Sequence, residues 1–223
     1  MIHQHRDMDS LVAELSLKIS DLLVTAIETN QKASMLLSGG KTPIQLYERM
    51  SQCDIEWNKV DIGLVDERFV SKDSALSNEK MIRDTLIKNK AKNVRFTGMI
   101  WDANYEMNLK MANDAYKTFL NPDLLILGMG SDGHTASLFP NDISSSISIN
   151  ENQPALSNTS APSEPKRRIT LNKSFIFTSK TTYLLIQGKE KALILQEKME
   201  NDYPISQFIP MLQAIYLSQN SSL

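Results

Sequence analysis

His134 is the side chain in this sequence best suited to moving a proton near neutral pH. It closes the run Gly128-Met129-Gly130-Ser131-Asp132-Gly133-His134, which follows the apolar stretch Leu124–Leu127 and leads into Thr135-Ala136-Ser137-Leu138-Phe139-Pro140. The other two histidines, His3 and His5, fall in a polar N-terminal tail. A histidine carried by a glycine loop at the carboxyl end of a buried strand suits a general base. Asp132 is close enough to orient the ring or tune its pKa, or to cap a following turn through Thr135 and Ala136. Gly128, Gly130 and Gly133 satisfy G-x-G-x-x-G, but a dinucleotide site also needs an acid about twenty positions on, at the end of another strand. Glu151 falls in a polar stretch instead.

Basic residues supply the second kind of chemistry. Ser38-Gly39-Gly40-Lys41-Thr42 precedes a predicted helix and forms a candidate anion cradle, with glycine amides and the Lys41 charge turned to a phosphate. The spacing is not that of a Walker loop. Asp66-Glu67-Arg68 ends another apolar run. It reads either as a solvated strand end with a local ion pair or as the source of a forked arginine for phosphate or carboxylate. Arg167, Arg168 and Lys191 also lie beside predicted strands, and together with the cradle they suit a phosphorylated substrate.

The elements that must position these groups follow from apolar spacing. Residues 11–27 carry apolar positions every three or four residues and predict an amphipathic helix. Residues 33–37, 61–65, 94–99, 124–127, 169–171, 183–186 and 214–217 predict strands. Thr42-Pro43 predicts an N-cap and first helical residue for a helix over 44–50. Asn78 predicts a cap for a helix reaching 87, and further helices are expected over 104–120 and 189–199. Residues 141–166, rich in Ser, Asn and Pro, predict one long polar surface loop. Short buried strands alternating with helices predict an α/β fold: one domain over 1–223, Rossmann-like, with a mainly parallel sheet flanked by helices on both faces. Ligands of such sheets bind beyond the carboxyl ends of the strands, where SGGKT, DER and GMGSDGH all fall.

Composition narrows the function classes. The 223 residues suffice for one sizeable core, and a net charge of -2 argues against nucleic-acid or anionic-membrane surfaces. Cys53 is the single cysteine, which rules out an intrachain disulfide and a Cys-rich zinc site. No metal or cofactor is expected. The N-terminal residues lack an apolar signal core, and no apolar run approaches the roughly 18 residues of a membrane span. The expectation is a cytoplasmic protein.

In order along the chain, LSGGKTP (37–43), DERFV (66–70), Ser77-Asn78, LGMGSDGHTASLFP (127–140), RITL (168–171) and G-x-x-K-A (188–192) resemble the 6-phosphogluconolactonase family. The long GMGSDGHTASLFP string is the most specific of them. The related glucosamine-6-phosphate deaminases and isomerases continue their histidine motif with a Phe-Asn-Glu-Pro run whose glutamate supports the histidine. Here Ser137-Leu138-Phe139-Pro140 stands instead, and Arg68 stands where the deaminases tend to carry tyrosine. Lys41 departs from the serine commoner in lactonases, and Tyr216-Leu217-Ser218 departs from their usual terminal aspartate. The resemblance implies hydrolysis of 6-phospho-D-glucono-1,5-lactone in the oxidative pentose phosphate pathway, by a monomer or weak homodimer. It implies His134 as base with Asp132 beside it, and substrate binding by Gly39, Gly40, Lys41, Thr42, Asp66, Arg68, Gly130, Arg168 and Lys191. A backbone N–H of the Gly128–Gly133 loop is the expected oxyanion donor. The rival readings are a deaminase-like isomerase and a non-catalytic sugar-phosphate-binding module.

Overall fold

The computed structural model describes residues 1–197 and 203–219. Among these, seven parallel strands form the main sheet in the spatial order β1 (Ile2–His5), β10 (Ala214–Ser218), β9 (Thr182–Gln187), β6 (Leu124–Leu127), β2 (Ala33–Leu37), β3 (Val60–Leu64) and β5 (Arg95–Thr97). A smaller antiparallel sheet joins β4 (Asp66–Arg68), β8 (Arg167–Leu171) and β7 (Leu156–Ser160). Seven α-helices accompany the strands: α1 (Met8–Asn30), α2 (Ile44–Met50), α3 (Asn78–Thr85), α4 (Tyr105–Tyr116), α5 (Ile143–Asn150), α6 (Lys173–Ile176) and α7 (Lys189–Glu197). This is the expected α/β architecture with a mainly parallel sheet.

The central strands β2 and β6 are buried along nearly their whole length, as parallel strands covered on both faces must be. Helix α1 buries Leu11, Leu15, Ile19, Leu23 and Ile27, one per turn, and each such side chain contributes roughly 1.5–3 kcal/mol. Asp7 caps its first turn by accepting the Ser10 N–H, and Gln31 ends it in the left-handed conformation, donating its N–H to the Ile27 carbonyl. No helix among the described residues is long and apolar enough to cross a membrane.

Several expectations need correction. Residues 141–166 are not one loop, since they contain α5 and β7. The inward face of α5 is polar: Ser145 and Ser148 are buried, with Ser145 bonded to Asp142 and Phe139 and Ser148 bonded to Ser157. The N-terminal residues are not a tail but edge strand β1, fixed by His3 stacking on Tyr216 at 4.7 Å and by both histidines facing Glu14. Ser77, not Asn78, caps α3, because its hydroxyl accepts the Lys80 N–H. Helix α4 is capped by Asn104, the first residue of the expected helix, but tightens after Tyr116 into a 3-10 turn. The last residues of the predicted helix 189–199 lie outside the described residues.

Candidate active site

The carboxyl ends of the central strands open into a cavity of about 270 Å³. Its walls come from the three loops whose chemistry stands out in the sequence: the segment after β2, the β4 strand that follows β3, and the glycine loop after β6. Strands β8 and β9 and helix α7 close it through Arg168, Leu185 and Lys191.

His134 lines this cavity with its Nδ1 2.5 Å from Asp132 Oδ1, and Asp132 also accepts the His134 backbone N–H at 3.2 Å. Burial raises the Asp132 pKa, but the hydrogen bond and charge of His134 outweigh it and leave the carboxyl below its ordinary 3.8. Asp132 is thus hydrogen-bonded to the ring and caps no helix; residues 135 and 138 form an isolated bridge instead. The ring lies against Gly130, where an added Cβ would collide with it. Its other neighbour is Phe139, at 4.8 Å between ring centroids.

Two amides of the glycine loop are engaged internally. Gly130 donates to the His134 carbonyl at 2.9 Å and Gly133 donates to the Gly130 carbonyl at 3.1 Å. Thr135 Oγ1 donates to the Gly128 carbonyl at 2.8 Å, tying the loop to its strand. Gly133, at φ 78°, takes a conformation that strains any residue with a Cβ. Gly130 lines the cavity, but its N–H is already engaged and is not the free donor expected from the Gly128–Gly133 loop. Its role is to leave room for the histidine.

Gly39, Gly40, Lys41 and Thr42 all line the cavity. Gly40 has a φ of 95°, and Gly39 packs so closely on the Asn78 amide that a side chain there would overlap it. Pro43, not Thr42, occupies the N-cap position of α2 and no side chain caps it, because the turn through Pro43 delays the helix by one residue.

Arg68 and Arg168 are paired residues of the β4–β8 ladder, and both line the cavity. Arg168 Nε donates to the Pro165 carbonyl at 2.8 Å, and its guanidinium lies 5.7 Å from the Phe139 ring centroid. Arg68 Nη1 donates to the Leu76 carbonyl at 2.6 Å. Lys191 lines the same cavity, where burial lowers its pKa against the pull of Asp132. Arg167 instead sits over the Tyr105 ring. The Asp66-Glu67-Arg68 triplet is thus not a solvated strand end. Asp66 faces the cavity, while Glu67 is fully buried and accepts from the Arg68, Asn78 and Glu79 amides and the Ser77 hydroxyl at 2.7–3.0 Å. Burial pushes the Glu67 carboxyl up, and the four hydrogen bonds pull it down less strongly.

The candidate site residues did not include Ser38, Asn78 or Ser137, although Ser38 stands in the expected cradle and Asn78 in the Ser77-Asn78 motif. Ser38 is 6% exposed and lines the cavity, with an Oγ that has no hydrogen-bond partner among the described residues. Arg68 Nε is a second such atom. Buried polar atoms in this state are costly and few, and both belong to residues that line the cavity. Among the described residues no group of three or more His, Cys, Asp or Glu is gathered to hold a metal.

A model of the family described as glucosamine-6-phosphate isomerases/6-phosphogluconolactonase matches residues 6–216. The 6-phosphogluconolactonase of Neisseria meningitidis serogroup A is 32% identical over 211 residues, covering 92% of this chain and 91% of its own. The 6-phosphogluconolactonase of Xylella fastidiosa (strain Temecula1) is 35% identical, covering 88% and 86%. Among solved structures, a 6-phosphogluconolactonase from Shewanella baltica superposes with a TM-score of 0.92 at 32% identity, over 98% of this chain and 97% of that one.

Proposed function

This chain belongs to the glucosamine-6-phosphate isomerase and 6-phosphogluconolactonase family, and we propose that its cavity hydrolyses 6-phospho-D-glucono-1,5-lactone to 6-phosphogluconate. The observation that carries the reading is the meeting, in one cavity, of an aspartate-held histidine with two opposed arginines beside a glycine cradle. The relatives named 6-phosphogluconolactonase, aligned over most of the chain, support the same reaction.

A lactone carbonyl is already electrophilic, so water needs only a base. With Nδ1 donating to Asp132, Nε2 is the basic nitrogen of His134. Water attacks the lactone carbonyl carbon while its proton passes to Nε2. The tetrahedral intermediate collapses with cleavage of the bond to the ring oxygen, which takes that proton from His134. The free acid then ionises in water. Asp132 stabilises the transient imidazolium, and general base catalysis of this kind contributes roughly 10²–10⁴-fold. The phosphate, remote from the carbonyl, is held by Arg68, Arg168, Lys191, Lys41, Thr42 and the Gly39-Gly40 backbone. The deaminase-like alternative relies on a glutamate after the histidine. Here Ser137 and Phe139 occupy that stretch, and the carboxylate on the ring is Asp132. We place the reaction in the cytoplasm, within the oxidative pentose phosphate pathway and carried out by a single 1–223 domain as a monomer or weak homodimer.

The test is decay of the enzymatically generated lactone with wild type, with His134→Ala and with buffer alone. Wild type accelerates ring opening, and His134→Ala lowers kcat by roughly 10²–10⁴-fold with KM little changed. No acceleration by wild type rejects the reaction. A variant with near wild-type kcat rejects the base.

A further inference from the structure

We infer that Asp66 reads a hydroxyl group of the substrate and that Ser137 is the residue positioning it, an inference that rests on the sugar-lactone reading above. Lys41, Arg68, Arg168 and Lys191 bring positive charge to the cavity, and all four are hydrogen-bond donors without acceptor capacity. They suit the phosphate but cannot accept from the hydroxyls that distinguish one sugar from another. Among the described residues Asp66 is the only carboxylate lining the cavity.

Asp66 is held firmly for this purpose. It is 7% exposed, and its Oδ2 accepts the Ser137 hydroxyl at 2.6 Å. Ser137 is itself fully buried: its N–H donates to Thr170 Oγ1 at 3.2 Å, and its carbonyl accepts from Thr159 Oγ1 at 2.6 Å. The Asp66 backbone is fixed as well, since its carbonyl accepts from Asn78 Nδ2 at 2.8 Å. The carboxylate enters no ion pair among the described residues, whereas eleven other pairs form elsewhere or at His134. One oxygen is therefore committed to Ser137, and the other is left to the cavity.

The chemistry of the partner follows. A fixed anion repels a phosphate and accepts from a hydroxyl, so Asp66 also biases which end of a phosphorylated sugar lactone lies beside it. A site built to bond a hydroxyl rejects the analogue that lacks it. For a bond to a charged acceptor the expected discrimination is roughly 10- to 100-fold.

The experiment compares kcat/KM for the phosphorylated lactone and its single-deoxy forms on wild type, Asp66→Asn, Ser137→Ala and Ser137→Thr. Wild type is expected to lose roughly 10- to 100-fold on one deoxy form. Asp66→Asn, which replaces the charged acceptor by a neutral amide, should narrow that difference to a few-fold. Ser137→Ala should weaken the discrimination and Ser137→Thr should restore it, a pattern that general destabilisation does not produce. Wild type indifferent to every deletion overturns the inference, as does an Asp66→Asn variant that slows all lactones by one factor, the mark of mere charge balance. If Asp66→Asn does not fold, the Ser137 pair decides. If wild type opens no lactone, the functional reading has failed, and dissociation constants for 6-phosphogluconate and its deoxy forms decide the inference by the same criteria.

Discussion

Arg68 and Arg168 stand directly opposite one another across the antiparallel β4–β8 ladder. Like charges in that relationship repel, and Arg168 is also buried. Burial first and the Arg68 charge second draw its pKa below the usual arginine value, while Asp66 and Glu67 oppose the shift. The guanidinium stays charged, so the pair carries a standing electrostatic cost that an anion between them removes.

Binding that is specific to the folded state raises thermal stability with ligand concentration. Inorganic phosphate is therefore expected to raise the wild-type Tm progressively, and to do so less in Arg68→Ala and Arg168→Ala. In turnover the same variants should raise KM with little change in kcat. Phosphate-dependent shifts equal to wild type in both variants would remove the arginines from anion binding.

Gly130 yields a separable prediction. A methyl group there overlaps the imidazole of His134, so Gly130→Ala should displace the base without touching the arginines. The expected outcome is a kcat loss of roughly 10²–10⁴-fold, comparable to losing the histidine, with 6-phosphogluconate affinity within a few-fold of wild type. Steady-state kinetics and calorimetry check it, and wild-type kcat would show that the ring can move aside freely.

Asp132 sets a pH dependence whose sign is fixed by its lowered pKa. A depressed carboxyl contributes stability that is present above its unfolded value, near 3.8, and lost as pH falls through the lower native value. The stability difference between wild type and Asp132→Asn should thus shrink as pH falls below about that value. Denaturant unfolding at a series of pH values measures this, and a gap that closes well above pH 4 contradicts the assignment. Asp132 remains an anion through the mildly acidic range, so loss of turnover there does not arise from its protonation.

The main sheet apart from edge strand β1 was legible because strands such as 33–37 and 124–127 are apolar on both faces and stand out without alternation. Helix α5 and strand β7 were not, for a common reason. Buried serines and threonines such as Ser145, Ser148 and Thr159 face inward there, so a scan for apolar periodicity finds nothing. Within the site, His134, Arg68 and Arg168 were readable from residue type and strand-end position. The part played by Ser137 depends on a bond to Asp66, 71 residues away, and no local pattern encodes it. The Gly128–Gly133 loop was read as the source of an oxyanion donor, and only its hydrogen bonding reveals that the Gly130 amide is taken.

Strand β4 is three residues long, and its side chains alternate: Asp66 and Arg68 turn to the cavity, and Glu67 turns to the first turn of α3. A slip of one position against β8 would exchange these faces. The cavity would then receive the Glu67 carboxylate in place of the guanidinium, while an aspartate and an arginine would meet the helix amides that now surround Glu67. Register in this short ladder therefore sets the polarity of the field that an incoming anion meets, and a single inserted or deleted residue between 65 and 68 would turn an attractor into a repeller.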